Sequence, residues 1–136
     1  MSLKILIVDD HRLARSAIRT AMRFCRLQPQ IVGEATDGAT AIELARQLAP
    51  DVITMDITLP DMNGLEVTRR LNEEMPQIKV VMVTMHEDRE YREAAAEAGA
   101  VSYVTKDQLI DGLAICLDRL TPQCLAHSAE HEPRRL

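Results

Sequence analysis

The sequence has very few aromatic residues and no long apolar segment. Its 136 residues include no tryptophan, two tyrosines and one phenylalanine. No uncharged stretch approaches the roughly 20 apolar residues that a helix needs to cross a bilayer. The first apolar run is strand-like and is not followed by a small-residue cleavage site, which argues against a signal peptide. Because the length is typical of one domain, we expect a single cytoplasmic domain without membrane contact.

Cysteine and basic residues do not occur in the patterns that would make them functional. The three cysteines, Cys25, Cys116 and Cys124, are irregularly spaced and form no Cys-x-x-Cys pair. Their number and spacing argue against a zinc site and a disulfide framework. The formal net charge is −5 at pH 7. A nucleic-acid-binding module usually presents a basic face, so we expect no nucleic-acid contact through this chain.

Short apolar runs alternate with helix-length segments over most of the chain. Five strand-then-helix units fill residues 1–120, and Pro29, Pro50, Pro76 and Gly99 are expected to end the first four helices. This alternation predicts an α/β fold, a doubly wound parallel sheet of five strands with crossover helices. Residues 121–136 show no apolar periodicity, and we expect a flexible tail there or the start of a linker to an absent output domain.

Polar residues follow the predicted strands at the points where the strands end. The first strand runs into Asp9 and Asp10, and the third runs into Asp56. Thr84 ends the fourth strand, and Lys106 follows the fifth. Parallel sheets bind ligands beyond the carboxyl ends of their strands, so these side chains should converge on one crevice. Three clustered carboxylates need a neutralising cation, which indicates a divalent-metal and phosphoryl site.

Each of these residues, taken singly, also has a simpler interpretation. Asp9 and Asp10 could cap the first helix, because acidic side chains are favourable at a helix N-terminus. Thr84 could be an ordinary strand residue, and Lys106 a solvated surface charge. Their occurrence together at successive strand ends favours the site. His11 is a lone imidazole, and we expect it at the surface or at the helix start and not among the metal ligands.

The chain resembles the receiver domain of response regulators in two-component signalling. The features that carry the resemblance are Asp9-Asp10, Asp56 within Met55-Asp56-Ile57-Thr58-Leu59-Pro60-Asp61-Met62-Asn63-Gly64, Thr84, Tyr103 and Lys106. The resemblance implies a receiver domain over residues 1–120 with a flavodoxin-like (βα)5 fold and strand order 2-1-3-4-5. His11 and the run Thr84-Met85-His86 are similar to the NarL/LuxR-type subgroup, whose output is a helix-turn-helix DNA-binding domain.

The resemblance implies a role for each residue of the crevice. Asp56 would accept a phosphoryl group from a sensor histidine kinase. Asp10, Asp56 and the backbone carbonyl of Thr58 would hold Mg²⁺, with Asp9 acting through a metal-bound water. The chain would then be a phosphoacceptor switch, a regulatory protein that catalyses only its own phosphorylation and dephosphorylation.

The remaining implied roles concern the response to phosphorylation. Lys106 would neutralise a phosphoryl oxygen, while Thr84 and Tyr103 would convert phosphorylation into a change of the surface formed by residues 85–118. That surface would control transcription through an absent DNA-binding domain. Alternatively, it would form a protein contact, such as that of a homodimer. The lifetime of the phosphorylated form would depend on two residues beside the site, Thr58 and His86.

The chain departs from many receivers after Lys106, and two other protein classes are alternatives to the receiver function. Many receivers have proline after the lysine, in a cis peptide, but Asp107 stands here, so we expect the Lys106–Asp107 bond to be trans. A phosphatase of the haloacid-dehalogenase type would need Asp-x-Asp after the first strand, where this chain has Asp9-Asp10-His11. A flavin-binding domain of similar topology would need a phosphate loop there, and the two carboxylates would repel that phosphate.

Overall fold

The computed structural model describes residues 3–26 and 28–120. Five strands form one sheet: β1 Lys4–Val8, β2 Gln30–Ala35, β3 Val52–Met55, β4 Lys79–Thr84 and β5 Ser102–Thr105. Each strand precedes a helix: α1 Arg12–Met22, α2 Gly38–Leu48, α3 Gly64–Glu74, α4 Arg89–Ala98 and α5 Leu109–Arg119. A short 3₁₀ turn, Lys106–Gln108, joins β5 to α5. The predicted tail at 121–136, which includes Cys124, lies outside the described residues.

The sheet has the predicted topology. All its strands pair in parallel, in the order β2-β1-β3-β4-β5, which confirms the flavodoxin-like arrangement. The order reverses direction between β1 and β3, and ligands of doubly wound sheets bind at such a switch point. Val8 and Met55, the last residues of β1 and β3, are paired neighbours. The residues that follow these two strands therefore emerge side by side.

Alternate residues of the strands pack on opposite faces of the sheet and form two apolar layers. Leu6, Ile53 and Met82 face the layer that α2, α3 and α4 cover, together with Leu71 and Ala95 of two of these helices. The other layer lies beneath α1 and α5, and its largest fully buried side chains are Ile5, Ile7, Ile18, Leu113 and Leu117. Because both faces are covered, the inner strands read as nearly continuous apolar runs.

Helix α1 ends earlier than the sequence predicts. It stops at Met22 and not near Pro29, because the next amides bond three residues back, as Phe24 N–H does to the carbonyl of Ala21 at 3.1 Å. Such tighter bonds are common at helix ends. The backbone N–H of Arg26 then donates to the carboxylate of Asp118 in α5 at 2.9 Å. No local sequence pattern predicts this tertiary contact.

The other predicted helix ends and the cysteines agree well with the structure. Gly99 ends α4 with a φ of 108°, a left-handed conformation that glycine adopts without strain. Cys25 and Cys116 are buried free thiols in the layer beneath α1 and α5. Burial, followed by the charges of Asp118 and Cys116, raises the pKa of Cys25 to about 11, so little of this thiol is ionised at neutral pH. Among the described residues, no helix is long and apolar enough to span a membrane.

Candidate functional site

The acidic residues that follow β1 and β3 lie together at the carboxyl edge of the sheet. Asp9 and Asp56 are almost completely buried, at 0% and 4% exposure. The side chain of Asp10 is 32% exposed at the rim. Ligand atoms of these three residues and of His11 all lie within 4.8 Å of one another. The neighbouring positions of β1 and β3 in the sheet thus produce the predicted crevice.

Lys106 supplies the positive charge of this crevice. Its Nζ lies 2.8 Å from Oδ2 of Asp9 and donates to Oδ2 of Asp56 at 3.3 Å. Burial by itself would lower the pKa of Lys106, but the contacts with Asp9 and Asp56 outweigh burial and raise it. The ammonium is therefore charged at neutral pH and faces both buried carboxylates.

The environment of Asp56 disfavours its negative charge. Burial, followed by the nearby charge of Asp9, raises the pKa of Asp56 above its ordinary value. Lys106 and the backbone N–H of Thr58 act in the opposite direction and lower it. A carboxylate in this setting is therefore stabilised by any additional cation.

The loop after β3 is folded back tightly beneath Asp56. Gly64 N–H, at the start of α3, donates to the carbonyl of Ile57 at 2.6 Å. A Cβ at Gly64 would overlap the backbone carbonyl oxygen of Asp56, so only glycine fits. At the far side of the loop, the carboxylate of Asp61 accepts from the N–H groups of Gly38 and Ala39 at 2.7 and 2.9 Å.

His11 lies closer to the acidic residues than the sequence predicts. Its Nδ1 is 3.0 Å from Oδ1 of Asp10 and 3.4 Å from Oδ1 of Asp9, although its side chain is 68% exposed. Its backbone N–H donates to Oδ1 of Asp9 at 2.9 Å. The expected surface position at the helix start is therefore correct, and Asp9 does bond the first amide there, but the imidazole also touches both carboxylates.

An arginine of α1 links the end of β1 to β2 through hydrogen bonds. Arg15 donates from its guanidinium to the backbone carbonyl of Asp9 at 2.9 Å and to the carboxylate of Glu34 at 2.7 Å. Arg19, one helical turn later, pairs with the same carboxylate. Burial would raise the pKa of Glu34, but the hydrogen bonds of Arg19 and Arg15 outweigh burial and lower it. The four-residue spacing of the two arginines on α1 was the only sequence signal for this contact.

Thr84 and Tyr103 are connected through the backbone of His86. Thr84 is fully buried at the end of β4, and its Oγ1 is 3.4 Å from the backbone nitrogen of His86. The hydroxyl of the partly buried Tyr103 donates to the carbonyl of His86 at 2.8 Å. The two predicted switch residues therefore contact the same peptide segment between β4 and α4.

The side chain of His86 bridges two other parts of the chain. Its Nε2 lies 3.4 Å from Oγ1 of Thr58, so the two residues expected to influence the phosphorylated lifetime face each other. On its other side, the imidazole ring is 4.4 Å from the ring of Tyr91 in α4, centroid to centroid.

The peptide bonds of the described residues are all trans, which confirms the expectation for Lys106–Asp107.

The side chains of the crevice fit a hard divalent cation. Oδ2 of Asp9 is buried and lies 2.8 Å from Nζ of Lys106, with no further partner among the described residues. Asp10 and Asp56 present further carboxylate oxygens to the same space. Magnesium prefers such oxygens and retains several waters, so the donor set suits Mg²⁺.

Comparison with known proteins agrees with this architecture. The family described as "Response regulator receiver domain" matches residues 5–116. Response regulator GacA of Pseudomonas aeruginosa is 44% identical over 104 residues, which are 76% of this chain and 48% of that protein. Transcriptional regulatory protein DegU of Brevibacillus brevis is 36% identical over 113 residues, 82% of this chain and 47% of that protein. The chain thus spans about half the length of these curated relatives.

Solved structures are also similar over nearly the whole chain. A two-component response regulator of the LuxR family from Aurantimonas sp. SI85-9A1 superimposes with a TM-score of 0.81 and 30% identity. The match covers 96% of this chain and 98% of that one. The signal receiver domain of the putative response regulator NarL from Mycobacterium tuberculosis gives a TM-score of 0.78 at 27% identity, with 85% of this chain and 93% of that one covered.

Proposed function

Since this chain belongs to the response regulator receiver domains, of the NarL/LuxR type, and so acts in two-component signalling, we propose that Asp56 is its phosphoacceptor. The observation that carries this assignment is the position of Asp56, which is buried at the switch point of the sheet and shares the ammonium of Lys106 with Asp9. Asp9 and Asp10 follow β1 and already bond or flank the start of α1, whereas the carboxylate of Asp56 accepts from Lys106 at the end of β3. Asp56 is therefore the carboxylate best placed to act as a nucleophile.

The proposed reaction transfers a phosphoryl group from a phosphohistidine of a sensor kinase. An oxygen of the Asp56 carboxylate bonds to phosphorus while the phosphorus–nitrogen bond breaks, and the imidazole leaves with that electron pair. The product is an acyl phosphate, which water later hydrolyses to restore the carboxylate. Lys106 would lie beside the oxygens of the transferred phosphoryl group and reduce the repulsion between these oxygens and Asp9. The chain acts on itself in this way, as a regulatory protein and not as an enzyme with its own substrate.

Three groups would hold Mg²⁺ beside the nucleophile. These are the carboxylates of Asp10 and Asp56 and the backbone carbonyl of Thr58, with Asp9 acting through a water. The bound ion would supply positive charge for the carboxylates and the phosphoryl oxygens. The clustering of carboxylate oxygens within 4.8 Å and the raised pKa of Asp56 both support an additional cation at this place.

The response to phosphorylation would pass through Thr84 and Tyr103. A new hydrogen bond from Thr84 to the phosphoryl group would draw the segment around His86 toward the site. Tyr103 bonds that same segment, so its ring would follow, and the surface of residues 85–118 would change. Phosphorylation would in this way shift the population between two arrangements. Thr58 and His86, in contact beside the site, would control the approach of the attacking water.

The proposed partners are a sensor histidine kinase and a protein that recognises the 85–118 surface. That second partner is either a copy of this chain or an output domain. Curated relatives named as regulatory proteins are about twice as long as the matched region, so control of transcription would belong to a DNA-binding domain outside residues 1–120. The acidic charge of the chain supports the absence of DNA contact through these residues.

Phosphorylation with a small acyl-phosphate donor tests the nucleophile directly. With acetyl phosphate and Mg²⁺, the wild-type protein should gain one phosphoryl group by intact mass, and hydroxylamine should remove it. Asp56→Asn should gain none, because the amide cannot form the acyl phosphate. Asp107→Asn is the matched control, since it makes the same change on an exposed residue next to Lys106, and it should be labelled normally. Equal labelling of the wild type and Asp56→Asn would refute the assignment.

Thermal stability tests the metal ligands separately. Mg²⁺ at a hundredfold excess over its dissociation constant should stabilise the native protein by about 2.7 kcal/mol, if it binds only the folded state. Asp10→Ala should lose most of this gain, because it removes a rim ligand while leaving the buried residues intact. An undiminished gain in Asp10→Ala would mean that the ion binds elsewhere.

A further inference from the structure

The ring of Tyr103 is held by the first turns of α4 as well as by its hydroxyl. The guanidinium carbon of Arg92 lies 4.6 Å from the centroid of the Tyr103 ring. At the other end of the ring, the hydroxyl donates to the carbonyl of His86 at 2.8 Å. Tyr91, the residue before Arg92, stacks on the imidazole of His86. Two consecutive residues of α4 thus contact both members of the Tyr103–His86 pair.

The side chain of Arg92 is exposed, and within the described part of the chain its position over the Tyr103 ring is not explained by an ion pair. No carboxylate of the described residues forms an ion pair with it, whereas Arg89, one turn earlier, pairs with Glu93 at 3.3 Å. A cation near the N-terminus of a helix is also unfavourable with respect to the helix dipole. A guanidinium over the face of a tyrosine ring, by contrast, is attracted by the electrons of that face. The contact with Tyr103 is therefore a favourable interaction of the Arg92 side chain.

We propose that Arg92 is a positioning residue that holds Tyr103 against the segment between β4 and α4 and thereby biases the chain toward its phosphorylation-competent arrangement. The inference rests on the proposed function, in which Tyr103 moves with Thr84. If the Tyr103 ring turned outward to solvent, it would lose both the guanidinium and the carbonyl of His86. Arg92 therefore stabilises the arrangement in which the Tyr103 ring lies against the segment of His86, and not the arrangement in which the ring faces solvent. A residue that shifts a population must stabilise one arrangement more than the other in this way.

The bias should appear as a change in apparent affinity for a phosphoryl analogue. An analogue that binds the competent arrangement has an apparent dissociation constant that rises as the competent fraction falls. The contribution of an exposed cation–π contact corresponds to about a two- to fivefold change in an equilibrium constant. We therefore expect Arg92→Ala to weaken binding of beryllofluoride with Mg²⁺ by about two- to fivefold. Arg92→Lys, which keeps a cation over the ring, should recover part of the loss.

Fluorine NMR offers a direct view of the ring, because the chain has only two tyrosines and no tryptophan. The protein labelled with 3-fluorotyrosine should give two resonances, and the Tyr91→Phe variant assigns them. In wild type, beryllofluoride should shift or sharpen the Tyr103 resonance. In Arg92→Ala, that resonance should lie toward the position of an exposed tyrosine before beryllofluoride is added. Arg89→Ala is the matched control, since it removes an arginine of the same helix and should leave both readouts unchanged.

A double-mutant cycle separates positioning from a general effect on α4. If Arg92 acts through the ring, Arg92→Ala should have no effect on beryllofluoride affinity in a Tyr103→Ala background. An equal loss in both backgrounds, or wild-type affinity and an unchanged Tyr103 resonance in Arg92→Ala alone, would overturn the inference while leaving the proposed function intact. A wild-type protein that binds no beryllofluoride would overturn the proposed function and the inference with it.

Discussion

Removal of the Lys106 charge tests the electrostatic account of the crevice most severely. The ammonium faces two carboxylates that are almost completely buried, at 2.8 Å from Asp9 and 3.3 Å from Asp56. Lys106→Met keeps much of the length and the apolar stem of the side chain but removes the charge. The two carboxylates then remain buried without a cation.

The distances set the scale of the expected loss. At an effective dielectric constant of about 20, the two contacts correspond to gross attractions of roughly 6 and roughly 5 kcal/mol. The cost of removing the charges from water offsets much of this attraction in the wild type. Breaking a buried ion pair by removing one partner typically costs about 3–5 kcal/mol, because the other charge stays buried. We expect Lys106→Met to lose about this much free energy of unfolding at pH 7 without Mg²⁺.

The loss should depend on pH with a defined sign. Burial and then Asp9 raise the pKa of Asp56 above its ordinary value of 3.8, and Lys106 opposes that rise, so the variant should raise it further. A group whose pKa is higher in the folded state destabilises the fold at pH values above that pKa. The destabilisation disappears as the pH falls through the folded pKa toward the unfolded one. The difference between wild type and variant should therefore be largest near neutral pH and smaller in acid.

Urea unfolding at several pH values measures this difference. The midpoint for Lys106→Met should fall well below that of wild type at pH 7, and the two should approach each other in acid. Mg²⁺ should restore part of the loss, because it supplies a replacement cation. Lys4→Met is a suitable control, since it removes an exposed lysine at the opposite end of β1. If Lys106→Met unfolded at the wild-type midpoint at pH 7, the ion pairs would not stabilise the fold as argued.

Three further predictions follow from contacts in and around the crevice. Gly64→Ala should destabilise the fold by about 1–3 kcal/mol or more in urea unfolding, because its Cβ would overlap the carbonyl of Asp56; wild-type stability would contradict this. Thr54→Val should be neutral or stabilise by about 1 kcal/mol in the same assay, since the Thr54 hydroxyl is buried without a partner among the described residues, and a clear loss would show that the hydroxyl is satisfied. Smaller or acidic replacements at Thr58 and His86 should change the decay rate of the acyl phosphate without abolishing phosphorylation, and unchanged decay in both variants would exclude a role in lifetime.

Local patterns in the sequence were sufficient for the elements and the position of the crevice. Apolar runs bounded by polar residues are a direct consequence of strands buried on both faces, so the inner strands β1, β3 and β4 could be recognised without tertiary information. In a parallel sheet all the carboxyl ends meet at one edge, and the residues after the strands must therefore gather there. This is why the proximity of Asp9, Asp56 and Lys106 could be predicted from their sequence positions.

The order of the strands came from family resemblance and not from the apolar pattern. Any permutation of the inner strands β1, β3 and β4 would show the same runs, because each of them is covered on both faces in every order. The order 2-1-3-4-5 nevertheless decides that β1 and β3 are neighbours, and so which carboxylates come into contact. The end of α1 is similar, because the tertiary bond from Arg26 to Asp118 lies beyond the reach of a local signal.

Only the tertiary structure decided which side chains surround the crevice. His11 was expected at the surface or the helix start and not as a metal ligand, and the structure adds that its ring touches two carboxylates. Arg15 reaches from α1 to Glu34 in β2. The contact of Arg92 with Tyr103 joins α4 to β5 in the same way. Such contacts depend on the register of the strands and the direction of each side chain, which periodicity does not contain. The sequence by itself determined the elements and the edge where polar residues meet, and the packing of helices on the sheet decided the partners of each residue there.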